Sequence, residues 1–461
     1  MKRASEYNLP SSFRDPSGFI FSYRGKIYRQ VNKIYKKNYN HLINSGLYDK
    51  LTEEGLLISH KDVSGNYQLA FNAYRIIKPR KINFISYPYE WCFSQLKDAA
   101  LLTLKIQKYS IDYGMSLKDA SSYNVQFEKG RPVFIDTLSF EKINADKPWV
   151  AYRQFCQHFL TPLSLMALVD IRLNQLLKTH LDGIPLDLVS KLLPKKSYLS
   201  FYLLIHIHLH AKSQKVLKKK QVRKATINIK SLRVLIENLE NAVKSFKYNP
   251  GQSCWVNYYD TSNYSDVAVF HKSKLIGGYL DKIKPRTLWD LGSNTGLFSQ
   301  LAADKDIETI AFDSDPSLIE KIYLKGNKKR VRDASKILPL VLDITNPSPS
   351  IGWANKERDS LVKRGSADCV MALALIHHLT IGNNVTFEKM AEFFSKIGKS
   401  LIVEFISKSD SNVQRLLRNR KDVFDFYTKE NFEDEFQKYF LIKAKDKIKG
   451  SDRILYLMKL R

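Results

Sequence analysis

From residue 285 onward the chain keeps returning to short, continuously apolar runs, and nothing else in the sequence constrains the fold as tightly. RTLWDL, ETIAFD, KILPLVLD, ADCVMALAL and KSLIVEF are each of strand length. Their apolarity does not alternate, as expected for strands covered on both faces in a parallel sheet. GLFSQLAAD and SDPSLIEKIY between them read as helices, the second with Asp315 at its cap and Pro316 in its first turn. The tail FQKYFLIKAKDKIKGSDRILYLMKL reads as two strands around a KGSD turn, an antiparallel end to the same sheet. The pattern predicts a doubly wound α/β domain.

The first strand of that series runs into TLWDLGSNTGLFSQL, a strand, a glycine-bearing turn and a helix start. A dinucleotide loop has three glycines so that a pyrophosphate can approach the helix N-terminus. Here the middle glycine is Asn294, and Asp290 stands two residues before Gly292. A carboxylate there disfavours a pyrophosphate and favours a ligand that carries positive charge and no phosphate. DxGxxxG after a strand resembles motif I of the class I S-adenosylmethionine-dependent methyltransferases. The resemblance implies a Rossmann-like, seven-stranded domain with an antiparallel last strand over residues 255–461, and S-adenosyl-L-methionine as cofactor. It also implies roles: Gly292 and Gly296 admit the methionine moiety and Asp290 orients the amino-acid end, while Asn294, counted with the cofactor-binding loop, departs from the family's commonest form. Asp313 receives the ribose hydroxyls and Asp343 the adenine amino group. The whole chain is similar to bacterial two-part, nodulation-type (NoeA-like) methyltransferases.

Methyl transfer needs a nucleophile held in line and, for many acceptors, a group to take its proton. His377 and His378 follow the fourth strand and Glu404 ends the fifth, where open α/β sheets bind ligands. Either histidine is a candidate general base, or one closes the pocket while the other packs. Glu404 either binds substrate or caps. The Asn-Pro-Pro-Tyr signature of amide-directed DNA methyltransferases is absent. Cys92, Cys156, Cys254 and Cys369 show no metal-ligand spacing, which predicts a reduced, cytoplasmic protein with no metal site.

The front half reads as an α+β and helical domain over 1–215, followed by a basic helical linker over 216–254. Hairpins are expected at Arg24-Gly25 and Lys129-Gly130, strands at YQLAFNAYRII and INFISY, and a long helix over WCFSQLKDAALLTLKIQKYSIDYG. Asp119-x4-Asn124, then Asp136, resembles the catalytic loop and metal-binding aspartate of kinase-like folds. Leu-Lys precedes Asp119, Thr-Leu follows Asp136, and no glycine-rich phosphate loop is evident, so nucleotide binding is not expected. His206, His208 and His210 lack nearby acids and read as a partly buried helix rather than a metal site. The net charge of +28 is densest around KSQKVLKKKQVRK, residues 212–224. That stripe is either a solvated linker face or a contact for nucleic acid. A small molecule or glycan, methylated on O or N, is the leading substrate class, with RNA the rival. A non-enzymatic scaffold is the third reading. No run reaches membrane-span length, and oligomeric state is left open.

Overall fold

Valine-, isoleucine- and leucine-rich strands without polar alternation must be buried on both faces, and the C-terminal half builds its sheet that way. The computed structural model describes residues 8–64, 71–144, 147–217, 228–249, 266–329, 335–418 and 421–461. They form two units: Met1–Asn249 with Ser350–Arg358, and Pro250–Pro349 with Asp359–Arg461.

In the second unit, β9 (Thr287–Leu291), β10 (Glu308–Asp313), β11 (Ile337–Val341), β12 (Ala367–Ala372) and β13 (Gly398–Phe405) are parallel. β14 (Phe440–Lys447) and β15 (Ile454–Leu460) complete the sheet antiparallel, in the order β11-β10-β9-β12-β13-β15-β14. This is the doubly wound sheet that the apolar runs predicted, with the seven strands and antiparallel end that the resemblance implied. β10 and β12 flank β9, so the chain reverses its winding direction beside β9, where such sheets open a crevice at the strands' carboxyl ends. One face packs on the Asp266–Ile283 helix through Ala268, Ile276 and Leu280, against Leu288, Met371 and Ile402. The outer strand β14 exposes Lys443, Lys445 and Lys447, charges that discourage pairing at an open edge.

The first unit carries a four-stranded antiparallel sheet, β1 (Gly18–Tyr23), β2 (Lys26–Asn32), β3 (His60–Asp62) and β4 (Ala73–Pro79), in the order β1-β2-β4-β3. Its first hairpin turns at Arg24 and Gly25, both in the left-handed region (φ 49° and 71°). The long helix is Phe93–Asp112. β5 (Met115–Leu117) pairs with β8 (Phe140–Lys142), and β6 (Val125–Glu128) with β7 (Arg131–Phe134). Helices then fill most of residues 152–217.

One expectation for this half changes. INFISY is not a strand: the Ser86 amide bonds to the Gln126 side chain at 2.9 Å, and Pro88 opens a short 3₁₀ turn. The basic helical linker expected over 216–254 includes the helix Ile229–Ser245, which lies on the long helix through Lys108–Glu240 and Arg233–Asp112 pairs. Residues 218–224 of the lysine stripe, Cys254 and the YQLA part of one expected strand lie outside the described residues. Among the described residues no helix is long and apolar enough to cross a membrane.

Candidate functional site

A cavity of about 290 Å³ opens at the carboxyl ends of β9, β10 and β11. Asp290, Gly292, Asn294, Asp313 and Asp343 all line it, so the loop and the three acids picked from sequence converge on one space. Gly296 does not line it; a Cβ there would meet Ile322 at 3.1 Å, which ties this glycine to packing of the turn.

The loop's shape follows from its backbone. Gly292 and Gly296 sit at φ 73° and 76°, and a Cβ on Gly292 would lie 3.3 Å from Leu375 across the cavity. Asn294 is also left-handed (φ 49°), a conformation asparagine tolerates better than most residues. Its side-chain oxygen accepts the Thr295 amide at 2.7 Å. The substitution of asparagine for the family's usual glycine therefore keeps the turn.

Asp313 spans loop and strand. One carboxylate oxygen accepts the Asn294 amide at 2.8 Å, and the other accepts the Asp315 amide at 3.0 Å. Burial raises its pKa, and those two amides act against the shift. Asp315 accepts the Ser317 amide at 2.8 Å, the capping role expected of it. Asp343 is exposed at the rim, its carboxylate fixed by the Thr345 amide (2.8 Å) and hydroxyl (2.7 Å). Asp290 is 2% exposed and accepts a hydrogen bond from Ser299 Oγ at 2.6 Å. Burial pushes its carboxyl up to about 7, against the pull of Ser299 and Lys272.

The catalytic candidates separate. His378 lines the cavity, and burial pushes its pKa down to about 4, so it is neutral across the physiological range. The limb near neutral pH that an ordinary histidine base gives is therefore not expected of it. His377 is fully buried, does not line the cavity, and neither of its ring nitrogens has a partner among the described residues. Its ring lies 4.2 Å from that of His378. Glu404 is also fully buried and off the cavity wall. One of its oxygens accepts both Lys272 Nζ (2.6 Å) and the Ala374 amide (2.8 Å). Arg453 stands 3.7 Å from the other and is held in turn by Asp410 at 2.8 Å. A carboxylate so placed is the counter-ion of Lys272 and caps the Ala374 amide, the second of the two roles considered for it.

Lys272 was not expected in this site. It lines the cavity although it is 2% exposed. The sequence does hold a signal: Ala268, Lys272, Ile276 and Leu280 recur every four residues, which puts a charge on the buried stripe of a helix. Ser293 was missed too. It lines the same cavity, 5% exposed, and its hydroxyl has no partner among the described residues.

In the first unit Asp119, Asn124 and Asp136 do come together. Burial and the nearby Asp136 charge raise the Asp119 carboxyl, and Asn124 hydrogen-bonds to it. Burial raises the Asp136 carboxyl too, but Arg29 and the Leu138 amide outweigh it and hold the group below its ordinary value. Arg29 Nη1, from β2, is 2.6 Å from Asp136, and Lys118 Nζ binds Ser17 Oγ at 2.6 Å and Asp15 at 3.1 Å. The polar groups of the trio are thus taken up by the chain itself. His206 bonds Tyr152 and Asn238, while His208 bonds Ser190 and Ser197. His210 stacks on Tyr152. No metal-binding group of acids, histidines or cysteines occurs among the described residues.

No family model matches the chain. Among solved structures it shows partial likeness to WbdD, described as a bifunctional kinase-methyltransferase (TM-score 0.30, 13% identity, 44% of this chain and 41% of that one). It is also similar to the PH0226 protein of Pyrococcus horikoshii OT3 (0.32, 15%, 47% and 100%). A third likeness is to the N-methyltransferase NodS of Bradyrhizobium japonicum WM9 (0.31, 11%, 42% and 98%). The chain spans under half the length of WbdD. Full-length similarity is found in sequence: nodulation protein NoeA of Rhizobium meliloti (strain 1021) is 34% identical over 458 residues, 97% of this chain and 95% of that protein. The chain belongs to the family of nodulation protein NoeA.

Proposed function

We propose that the second unit binds S-adenosylmethionine and transfers its methyl group to an oxygen or nitrogen of a small molecule or glycan. The observation that carries this reading is the cavity at the carboxyl ends of β9, β10 and β11, lined in order by Asp290, Asp313 and Asp343. S-adenosylmethionine, when bound, supplies an electrophilic methyl on a sulfonium. The protein's work is then to bind, orient and exclude water. Asp290 offers a buried carboxylate to the ammonium end, Gly292 keeps the wall free of side chain, and Asp313 presents oxygens for the ribose hydroxyls. Asp343 reads the adenine edge from the rim. His378, neutral and at the cavity wall, takes the acceptor's proton at a ring nitrogen. Because its conjugate acid is strong, that transfer suits an acceptor whose proton becomes acidic as the new bond forms. Cys92, Cys156 and Cys369 are buried and in no disulfide, which favours a reducing, cytoplasmic setting.

Calorimetric titration of the full-length protein with S-adenosylhomocysteine is the direct test, and saturable binding is expected. Absence of binding overturns the reading. Incubation with methyl-labelled cofactor and cell extract then identifies the acceptor, and label in RNA would replace the small-molecule and glycan classes.

A further inference from the structure

Lys272 is a cation placed where an ordinary core would hold a leucine. Its helix contributes Ala268, Ile276 and Leu280 to the hydrophobic core, yet the lysine between them reaches the cavity wall that Asp290 and Ser293 also form. Removing an ammonium from water is costly, and the protein offsets that cost with a buried partner, Glu404, at 2.6 Å. Glu404 is itself clamped by the Ala374 amide and faces Arg453. Ala374 has a left-handed backbone (φ 47°), so the same carboxylate steadies a strained turn at the cavity edge. The cavity therefore offers an acid in Asp290, a cation in Lys272, and an unused buried hydroxyl in Ser293. Opposite charges in one cavity match a ligand end that carries both an ammonium and a carboxylate.

We infer that Lys272 is the residue that recognises the carboxylate of the ligand's amino-acid end, with Glu404 as the positioning residue that holds it there. The inference rests on the cofactor reading above and adds a specificity to it. Arg453 and Asp410 extend the charge chain behind Glu404, so the negative charge the lysine needs is kept when the ligand leaves. Asp290 alone selects for an amine; Asp290 with Lys272 selects for an α-amino acid.

The test uses the full-length protein and two ligands, S-adenosylmethionine and its decarboxylated form, titrated by calorimetry. The wild type is expected to prefer the carboxylate-bearing ligand by roughly 10- to 100-fold, the range of a charge-assisted hydrogen bond. Lys272→Met should abolish that preference by weakening only S-adenosylmethionine. Lys272→Arg should keep most of it. Because Lys272→Met takes the ammonium from a buried carboxylate and can fail to fold, Lys272→Met/Glu404→Gln removes both charges and should also lose the preference. Equal wild-type affinity for the two ligands overturns the role of Lys272 and leaves the cofactor reading standing. So does a folded Lys272→Met protein with lower melting temperature and intact preference. No wild-type binding of either ligand overturns the cofactor reading itself.

Discussion

Asp290 makes ligand binding depend on pH in a direction that can be worked out. Its folded carboxyl titrates near 7 because it is buried, whereas the unfolded chain releases that proton near the ordinary value of 3.8. Between those two values the folded apo protein holds the extra proton, so its stability falls as pH rises through that window. A cationic ligand binds the carboxylate form. Affinity should therefore climb as pH rises from about 5 to 7, by up to tenfold per unit, and level off above about 8. Calorimetry near pH 7 in two buffers of different ionisation heat should show proton release on binding, and Asp290→Asn should remove both effects. A flat pH profile would detach Asp290 from the ligand. Asp313 has two tasks, holding the Asn294 amide and facing the cavity. Asp313→Ala is expected to weaken cofactor binding by ~1–3 kcal/mol, as for a lost hydrogen bond to a charged group. Unchanged affinity in a folded variant would remove the ribose assignment.

The segment after β12 shows how one element sorts two identical residues. His378 lines the cavity and His377 is sealed behind it, its ring nitrogens unpaired among the described residues. His378→Ala should lower turnover by ~10²-fold with cofactor affinity nearly intact. The wild-type rate should lose activity on the acid side, around pH 4 to 5, with no limb at neutrality. His377→Leu should keep turnover and hold or raise the melting temperature, since an apolar side chain replaces a buried group without hydrogen bonds. Equal losses of turnover in both variants would mean that the segment acts as a unit and neither ring is a base. Gly292→Val tests the turn itself: a β-branched residue at φ 73° is strained and would press on Leu375, so binding should vanish from a protein that still folds. These distinctions were only partly legible in the sequence. Continuous apolar runs fixed strand identity because burial on both faces is a local property, and the acids at strand ends followed from that. Which of two adjacent histidines faces the cavity was not legible, because the backbone turns there and the alternation rule fails. The pairing of Glu404 with Lys272 was not legible either, because the two lie 132 residues apart.

At the scale of the whole molecule, the first unit keeps the kinase-like trio in place but satisfies it internally. Arg29 sets a guanidinium against Asp136, the position that the kinase-like resemblance would make a metal ligand. ATP with magnesium should leave the melting temperature of the full-length protein unchanged. Arg29→Ala should cost about 3–5 kcal/mol, because a buried carboxylate loses its counter-charge. A clear ATP-dependent shift in the wild type would restore the nucleotide reading. The division between units was the least legible feature of all. Arg14 is held by Glu357 at 2.6 Å, 343 residues further along, and Arg358 lies over Tyr123 at 4.4 Å. No local pattern in NPSPSIGWANKERD announces that residues 350–358 belong with the N-terminal unit. That excursion imposes an order in time. The first unit has the rest of its chain once Asn249 is made, but Glu357 and Arg358 emerge about a hundred residues later. At about 5–20 residues per second, the ribosome leaves that unit short of its last segment for several seconds or more. Release from the ribosome at residue 249 would strand Arg14 without its carboxylate for good.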